Sequence, residues 1–313
     1  MSNTKQQEGK AKLPYEQTHE YKKLTKKIQF KTEELQRFYY DILGVEKYPL
    51  EKITEMLNDG KHIYSNLSTH YYHSRENEMK DYMRRFAMYQ KYIEKKGYSH
   101  DRDNAMARVI SLNRFNLDYG NLYLHIYAFI PAIELLGSEE QVKYWVPLAN
   151  DFKITGSYAQ TELGHGSDVQ GLQTSATYDV NTKEIVFNSP TIESTKFWPG
   201  GLGKSSTHAV VYAQLISQGK KHGVHAFIIQ IRDLQTHKPL QGIEVGDVGS
   251  KIALVHNDNG YLRFNNFRVA KSCHLSKYVD LSDDGTVTEK VKDSTRLVYG
   301  GMLKLRVNIV KII

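Results

Sequence analysis

The stretch Ser157-Tyr158-Ala159-Gln160-Thr161-Glu162-Leu163-Gly164-His165-Gly166-Ser167-Asp168 marks where the chain changes texture. Before it, residues are rich in Lys, Glu, Leu and Tyr and poor in glycine. After it come short apolar runs separated by Gly, Asn and Asp turns. The stretch itself follows a strand start and sets two glycines among hydroxyl side chains. Small residues let backbone N–H groups approach an anionic ligand, and Ser or Thr hydroxyls add donors. A glycine turn without a ligand reads equally well from these residues. The spacing is neither a Walker A loop, which needs Gly-Lys-Ser/Thr, nor a G-x-G-x-x-G after a clear strand.

Upstream, the apolar residues recur at helical steps. Ile53, Met56, Leu57, Ile63 and Leu67 do so around a break at Gly60, and Met79, Met83, Phe86, Met88, Tyr89 and Ile93 do so over 77–96. Leu122, Ile126, Phe129, Ile130 and Ile133 predict a deeply buried helix with Pro131 as a possible kink, ended by Gly137 as a C-cap. Ser138 followed three residues on by Gln141 is a capping-box pattern that starts a second helix, with Val142, Trp145 and Val146 on its buried face.

Downstream, Thr174 to Val180 and Glu184 to Asn188 predict a hairpin turned by Asn181-Thr182-Lys183. His208 to Ile216 and Val224 to Ile231 predict longer strands, with 217–223 as the turn between them. Tyr261 to Val269 alternates apolar residues around Asn265-Asn266, and Asp283-Asp284-Gly285 reads as a turn. From Ser294 the spacing becomes helical again. The order predicts an α+β chain: a helical part, an antiparallel β part, then the start of another helical part.

Composition narrows the function classes. The 313 residues carry 42 Lys+Arg against 35 Asp+Glu, a net charge of +7, with 40% hydrophobic residues. That is globular, not disordered. The basic excess is partly an arm at the N-terminus, which reads as a solvated terminus, and no nucleic-acid-binding module accompanies it. No uncharged apolar run reaches the about 18 residues of a membrane span. Met1 to Lys12 lacks the apolar region of a secretory signal, and the C-terminal residues are not a Ser-Lys-Leu type address.

Cys273 is the only cysteine and reads as structural. His70 with His73, and His222 with His225, are spaced three apart, but no cysteine or carboxylate spacing joins them, so no metal site is expected. A nucleophile elbow is absent.

A second stretch, Lys196-Phe197-Trp198-Pro199-Gly200-Gly201-Leu202-Gly203-Lys204, sets an aromatic pair against glycines, which suits the wall of a flat ring system. Thr161 to Thr174 together with Phe197 to Lys204 closely resembles the peroxisomal acyl-CoA oxidases. Thr236-His237-Lys238-Pro239-Leu240, Val245-Gly246-Asp247-Val248-Gly249 and Asp258-Asn259-Gly260-Tyr261-Leu262 continue the likeness. The Thr-Glu and Gly-Ser-Asp elements are shared with the wider acyl-CoA dehydrogenase superfamily. The resemblance is strongest over 120–275.

The resemblance implies an FAD enzyme that desaturates a fatty acyl-CoA to the trans-2-enoyl-CoA and passes the electrons to O2, giving H2O2. It implies a peroxisomal location and, for the full-length family, a homodimer. The implied parts are a flexible basic N-terminus (1–14), an N-terminal α domain (15–152), a middle flavin-binding β domain (153–279), and a linker with the first part of a C-terminal α domain (280–313). Thr161 and Gly200 match flavin-contacting positions. Trp198 is implied to pack against the flavin, with Tyr158, Gly164 and Gly166 in one wall of its site. Ser167 matches a position beside the acyl-CoA.

The family's catalytic glutamate is expected beyond residue 313, so no catalytic residue is assigned. On this reading the chain is C-terminally truncated and by itself a poor catalyst. A non-catalytic acyl-CoA-binding or partner-binding remnant, and a dehydrogenase with another electron acceptor, stay open.

Two departures bear on geometry. Gly249-Ser250-Lys251-Ile252-Ala253 stands where the oxidases usually show Gly-Pro-Lys-Phe/Met-Gly. Arg268-Val269-Ala270-Lys271-Ser272-Cys273 stands where they show Arg-Ile-Pro-Arg-x-Asn.

Overall fold

The structure is a computed structural model, and it describes residues 74–97 and 121–303 except 253, 293, 295 and 298, together with 34 and 58–59. The expectations for the basic N-terminus, for residues 51–57 and 60–67, for His70 with His73 and for the last ten residues lie outside the described residues, as does the Ile93 side chain. The chain divides into two compact units, and the elements below belong to the one formed by residues 60–97 and 112–313.

Helix α1 spans Arg75–Lys95. Ser74 caps it by accepting from the Asn77 N–H, and Glu76 and Glu78 sit in the first turn, where carboxylates suit the helix dipole. Its buried apolar side chains are Met79, Tyr82, Phe86 and Tyr89. Met83, expected inside, is exposed; Tyr82 takes its place and stacks on His256 at 5.4 Å. Arg75 fastens the start of the helix, its Nη2 donating to both Asp247 carboxylate oxygens at 2.9 and 2.7 Å.

The expected helix–stop–helix is present. A π-helical turn, His125–Phe129, leads into α2, Ile130–Leu136, and α3 spans Glu139–Asn150. The Ile130 N–H reaches back to the His125 carbonyl oxygen, so the wider turn falls just before Pro131, which has no N–H to donate. Gly137 ends α2 with extended backbone, φ −76°, not the left-handed cap glycine often supplies. Close approach explains the glycine: a Cβ there would stand 2.7 Å from the Ile133 carbonyl oxygen. The Ser138–Gln141 capping box is formed as expected. Gln141 also reaches across the fold, donating to the Ser272 and His274 carbonyls at 3.0 and 2.7 Å.

A six-stranded sheet forms the centre. Its strands are β1 (Gly156–Ala159), β2 (Ser175–Asp179), β3 (Glu184–Asn188), β5 (His208–Ser217), β6 (Lys220–Gln230) and β9 (Phe267–Ala270). A three-stranded sheet comprises β4 (Lys196–Phe197), β7 (Ile243–Asp247) and β8 (Gly260–Phe264), and β10 (Val279–Leu281) pairs with β11 (Val287–Glu289).

The α+β class holds, and most pairings are antiparallel, but β1 and β2 both run parallel to β5. They lie end to end along one edge of β5, Gly156 opposite His208 and Ser175 opposite Gln214. The chain between them, residues 160–174, loops out and returns to the same edge. That excursion, invisible to period-two patterning, is why two pairings are parallel.

The other edge of β5 pairs with β6 through a turn at Gln218-Gly219, both with positive φ, so the expected seven-residue turn is two residues and Lys220 to Gly223 are already strand. Alternation along β5 feeds two cores. Val210 and Tyr212 pack with Phe129, Ile133 and the α2–α3 face, whereas Val211, Ala213 and Leu215 pack with Phe227, Leu262 and Phe264. At Asn265-Asn266 the chain crosses from the smaller sheet to the larger. Ala270, where the resemblance expected proline, holds φ −55°, close to the angle proline would impose. Residues 294–303 are helical where described.

Candidate flavin-facing site

The looped-out stretch is organised around a buried carboxylate. Glu162 Oε1 accepts from the Thr174 N–H at 2.9 Å, the Thr174 hydroxyl at 2.6 Å and Lys196 Nζ at 2.9 Å. Its Oε2 accepts from the Gln173 N–H at 2.8 Å and meets His165 Nδ1 at 3.1 Å. Both members of the Glu162–Lys196 pair are fully buried. Lys196 Nζ completes its own shell by donating to the Gln160 and Tyr212 carbonyl oxygens at 3.2 and 2.6 Å.

Burial pushes the Glu162 carboxyl up, but the Lys196 charge and the Gln173 and Thr174 donors outweigh it and hold it below its ordinary value. For Lys196 burial wins over the Glu162 attraction and brings the ammonium down to about 8. A carboxylate so engaged is an anchor and not a free base.

The pair binds the two sequence motifs to each other. Glu162 and Lys196 face each other in an antiparallel bridge, the Phe197 N–H donates to the Thr161 carbonyl at 3.0 Å, and the Leu163 N–H donates to the Thr195 carbonyl at 2.8 Å. Farther along, the buried Ser157 hydroxyl donates to the Gly200 carbonyl at 2.9 Å. Thr161, Trp198 and Gly200, expected to work together, therefore sit on segments that touch.

The glycine-rich turn after Trp198 is gripped by opposite charges. The Arg232 guanidinium, buried, donates to the Ser206, Leu202 and Gly203 carbonyls at 2.6, 3.0 and 2.8 Å. Asp258 Oδ2 accepts from the Lys204 and Ser205 N–H groups at 2.7 and 2.6 Å and from the Ser205 hydroxyl at 2.7 Å. Backbone carbonyls and backbone N–H groups are thus each met by the charge they favour.

Trp198 stands out. It is 57% exposed and its backbone is left-handed, φ +83°. Its N–H donates to the Gly260 carbonyl at 3.0 Å, its carbonyl accepts from Asn259 Nδ2 at 2.6 Å, and its ring meets Phe197 edge to face at 5.2 Å. The indole is thus exposed on a strained backbone that its neighbours hold in place.

The remaining expected residues are placed less uniformly. Tyr158 is buried in the helix-side core, donates to Gln160 Oε1 at 2.9 Å and tilts against Tyr212, so it supports the strand from behind. Gly164 approaches Glu193 so closely that a Cβ would lie 2.7 Å from its Cβ, whereas Gly166 faces open space. Ser167 is exposed on the same loop. Gly200 lacks a side chain where Asn257 sits, both amide atoms 3.0 Å from its would-be Cβ, so Asn257 and not a void occupies that side.

His225 does not pair with His222 as ligands would: its Nδ1 lies 3.1 Å from His274 Nε2, and burial lowers His225 to about 4 and His274 to about 3. Among the described residues no group of three His, Cys, Asp or Glu could hold a metal. Burial raises the Cys273 thiol far above its ordinary value, so it is inert. Sequence reasoning missed Glu162, Lys196, Arg232 and Asp258 as organisers. Glu162, Lys196 and Asp258 each stand inside a quoted motif, which was the signal available, whereas Arg232 lies in none of them.

The chain is similar to the acyl-CoA oxidases. The family model for the acyl-coenzyme A oxidase N-terminal region matches residues 31–155. Over 178 residues the chain is 49% identical to peroxisomal acyl-coenzyme A oxidase 1 of Cavia porcellus, covering 57% of this chain and 27% of that protein. It is similar to the solved structure of Arabidopsis thaliana acyl-CoA oxidase 1, with TM-score 0.76 and 38% identity over 86% of this chain and 40% of that one. It is similar also to Caenorhabditis elegans acyl-CoA oxidase-2 bound with FAD, ascaroside-CoA and ATP, with TM-score 0.79 and 34% identity over 86% of this chain and 40% of that one. The chain thus matches well under half the length of these relatives.

Proposed function

We propose that this chain forms the flavin-facing part of an FAD-dependent fatty acyl-CoA oxidase, acting in the peroxisome, as the names of its relatives suggest. The observation that carries the reading is Trp198, an exposed indole joined through Phe197 to Thr161, in a chain that superposes on an oxidase solved with FAD. FAD, when bound, supplies the acceptor for the substrate's β hydrogen and returns the electrons to O2 as H2O2. The chain's own residues orient and shield. Trp198 offers a flat apolar surface, and Thr161 and Gly200 present backbone groups fixed by Phe197 and Ser157. Gly164 and Gly166 border the loop, and Ser167, exposed on it, faces the acyl-CoA. Residues 153–279 make up the flavin-binding domain in this reading, and the whole enzyme assembles as a homodimer.

The test is titration of the purified chain with FAD, followed by flavin fluorescence, with Trp198→Ala beside it, and an acyl-CoA-dependent H2O2 assay. Saturable binding weakened by the substitution supports the reading. No saturable response from the wild-type chain overturns it. This chain alone should yield little or no H2O2, and in the whole enzyme acyl-CoA oxidation that reduces an artificial dye acceptor but yields no H2O2 makes it a dehydrogenase.

A further inference from the structure

We propose that Glu162 and Lys196 are positioning residues for the flavin-facing surface: their buried ion pair sets the separation between Thr161 and Trp198. The proposal rests on the flavin reading for its purpose, though not for its geometry. Each charge lies one or two residues from a surface it would control, Glu162 after Thr161 and Lys196 before Phe197-Trp198.

Burying two charges is unfavourable unless every lone pair and proton is met, and apolar replacement of such a pair is often harmless to stability. Here both groups are fully buried and every contact is met: five donors converge on Glu162 and three acceptors on Lys196. Such an arrangement specifies geometry more than it adds stability. The geometry it specifies is the crossing of the two motifs. Glu162 also gathers Gln173 and Thr174, where the loop rejoins the sheet, so one carboxylate fixes both the start and the end of the excursion. Lys196, through the Tyr212 carbonyl, ties the crossing to β5.

The experiment compares the wild-type chain with Lys196→Met by residue-resolved amide exchange in the absence of ligand, then by FAD titration. The Phe197 and Leu163 amides, which bond across the crossing, should exchange at least tenfold faster in K196M. Val211 and Phe227, paired at the centre of β5–β6, should keep their protection. FAD affinity should fall tenfold or more, and the visible band of bound flavin should lose its fine structure.

If K196M loses protection through the whole sheet, Thr174→Val makes the same comparison, since it removes one hydroxyl donor from Glu162 and leaves both charges. Unchanged exchange at Phe197 and Leu163 in a folded variant overturns the proposal. Loosened amides in K196M beside a wild-type chain that ignores FAD support the clamp and sink only the flavin reading, so the two failures are distinguishable.

Discussion

The Ser157 hydroxyl donates to the Gly200 carbonyl oxygen at 2.9 Å, with Ser157 wholly buried. The first strand of the central sheet therefore holds the glycine turn after Trp198 directly. Ser157→Ala strands that carbonyl, and an unsatisfied buried acceptor costs about 1–3 kcal/mol. Thermal unfolding should show a midpoint lower by a few degrees, with FAD affinity reduced severalfold. An unchanged midpoint would mean that water replaces the hydroxyl and that the bond is dispensable.

Trp198 separates stability from binding. Its side chain is mostly exposed, so Trp198→Ala should change stability by no more than about 0.5 kcal/mol. Its left-handed backbone adds a second expectation. A non-glycine residue there carries roughly 1 kcal/mol of strain, so Trp198→Gly should be at least as stable as Trp198→Ala. Both should lose FAD affinity by tenfold or more. Chemical denaturation and flavin fluorescence on the same samples decide the matter; a strongly destabilised alanine variant would show the indole to be a packing residue.

The two glycines of the Leu-Gly-His-Gly element should part company. Gly164→Ala places a Cβ against the Glu193 side chain at 2.7 Å and should destabilise by about 1–3 kcal/mol. Gly166→Ala meets nothing within 4 Å and should leave the unfolding midpoint in place. A loss of FAD or acyl-CoA affinity in Gly166→Ala without loss of stability would mark the open side of Gly166 as ligand space. Equal destabilisation of the two would refute the close-approach account.

Lys196 predicts a pH signature. Its ammonium is brought down from 10.5 to about 8 in the folded chain, so between those values the unfolded chain binds the extra proton. Stability from this group then rises with pH across that window, and it is smallest below pH 8, where the buried charge must be kept. Glu162 acts at the other end: its lowered carboxyl contributes stability above 4.5 that is lost as pH falls through its folded value. The midpoint difference between wild type and Lys196→Met should therefore grow in favour of wild type from pH 7 to pH 10. A flat difference would show that the Lys196 ammonium titrates alike in the folded and unfolded chain, so that burial does not bring it down.

Much of the architecture was legible, because periodicity reports burial directly. The Ser138–Gln141 cap, the hairpin over Ser175 to Asn188 and the long strands through Val210 and Ile228 all follow from local spacing. What escaped was non-local. Nothing near Gln141 reveals that its amide also holds Ser272 and His274. Nothing in β1 reveals that it lies parallel to β5. The candidate site shows the same division. Thr161, Trp198 and Gly200 are singled out by the resemblance that their motifs carry. The charges that hold them, Glu162 with Lys196 and Arg232 with Asp258, become meaningful only when distant segments meet.

The end-to-end seating of β1 and β2 along β5 carries a kinetic consequence. Neither motif owns its shape. Gly156 must find His208, Ser175 must find Gln214, and Glu162 must find Lys196 before Thr161 and Trp198 face one another. Pairings between such distant residues close late, because loop entropy is lost before any contact rewards it. A growing chain on the ribosome thus has no cofactor-ready surface until residues as far as β5 have emerged. Short synthetic peptides carrying either motif should stay unstructured and inert toward flavin.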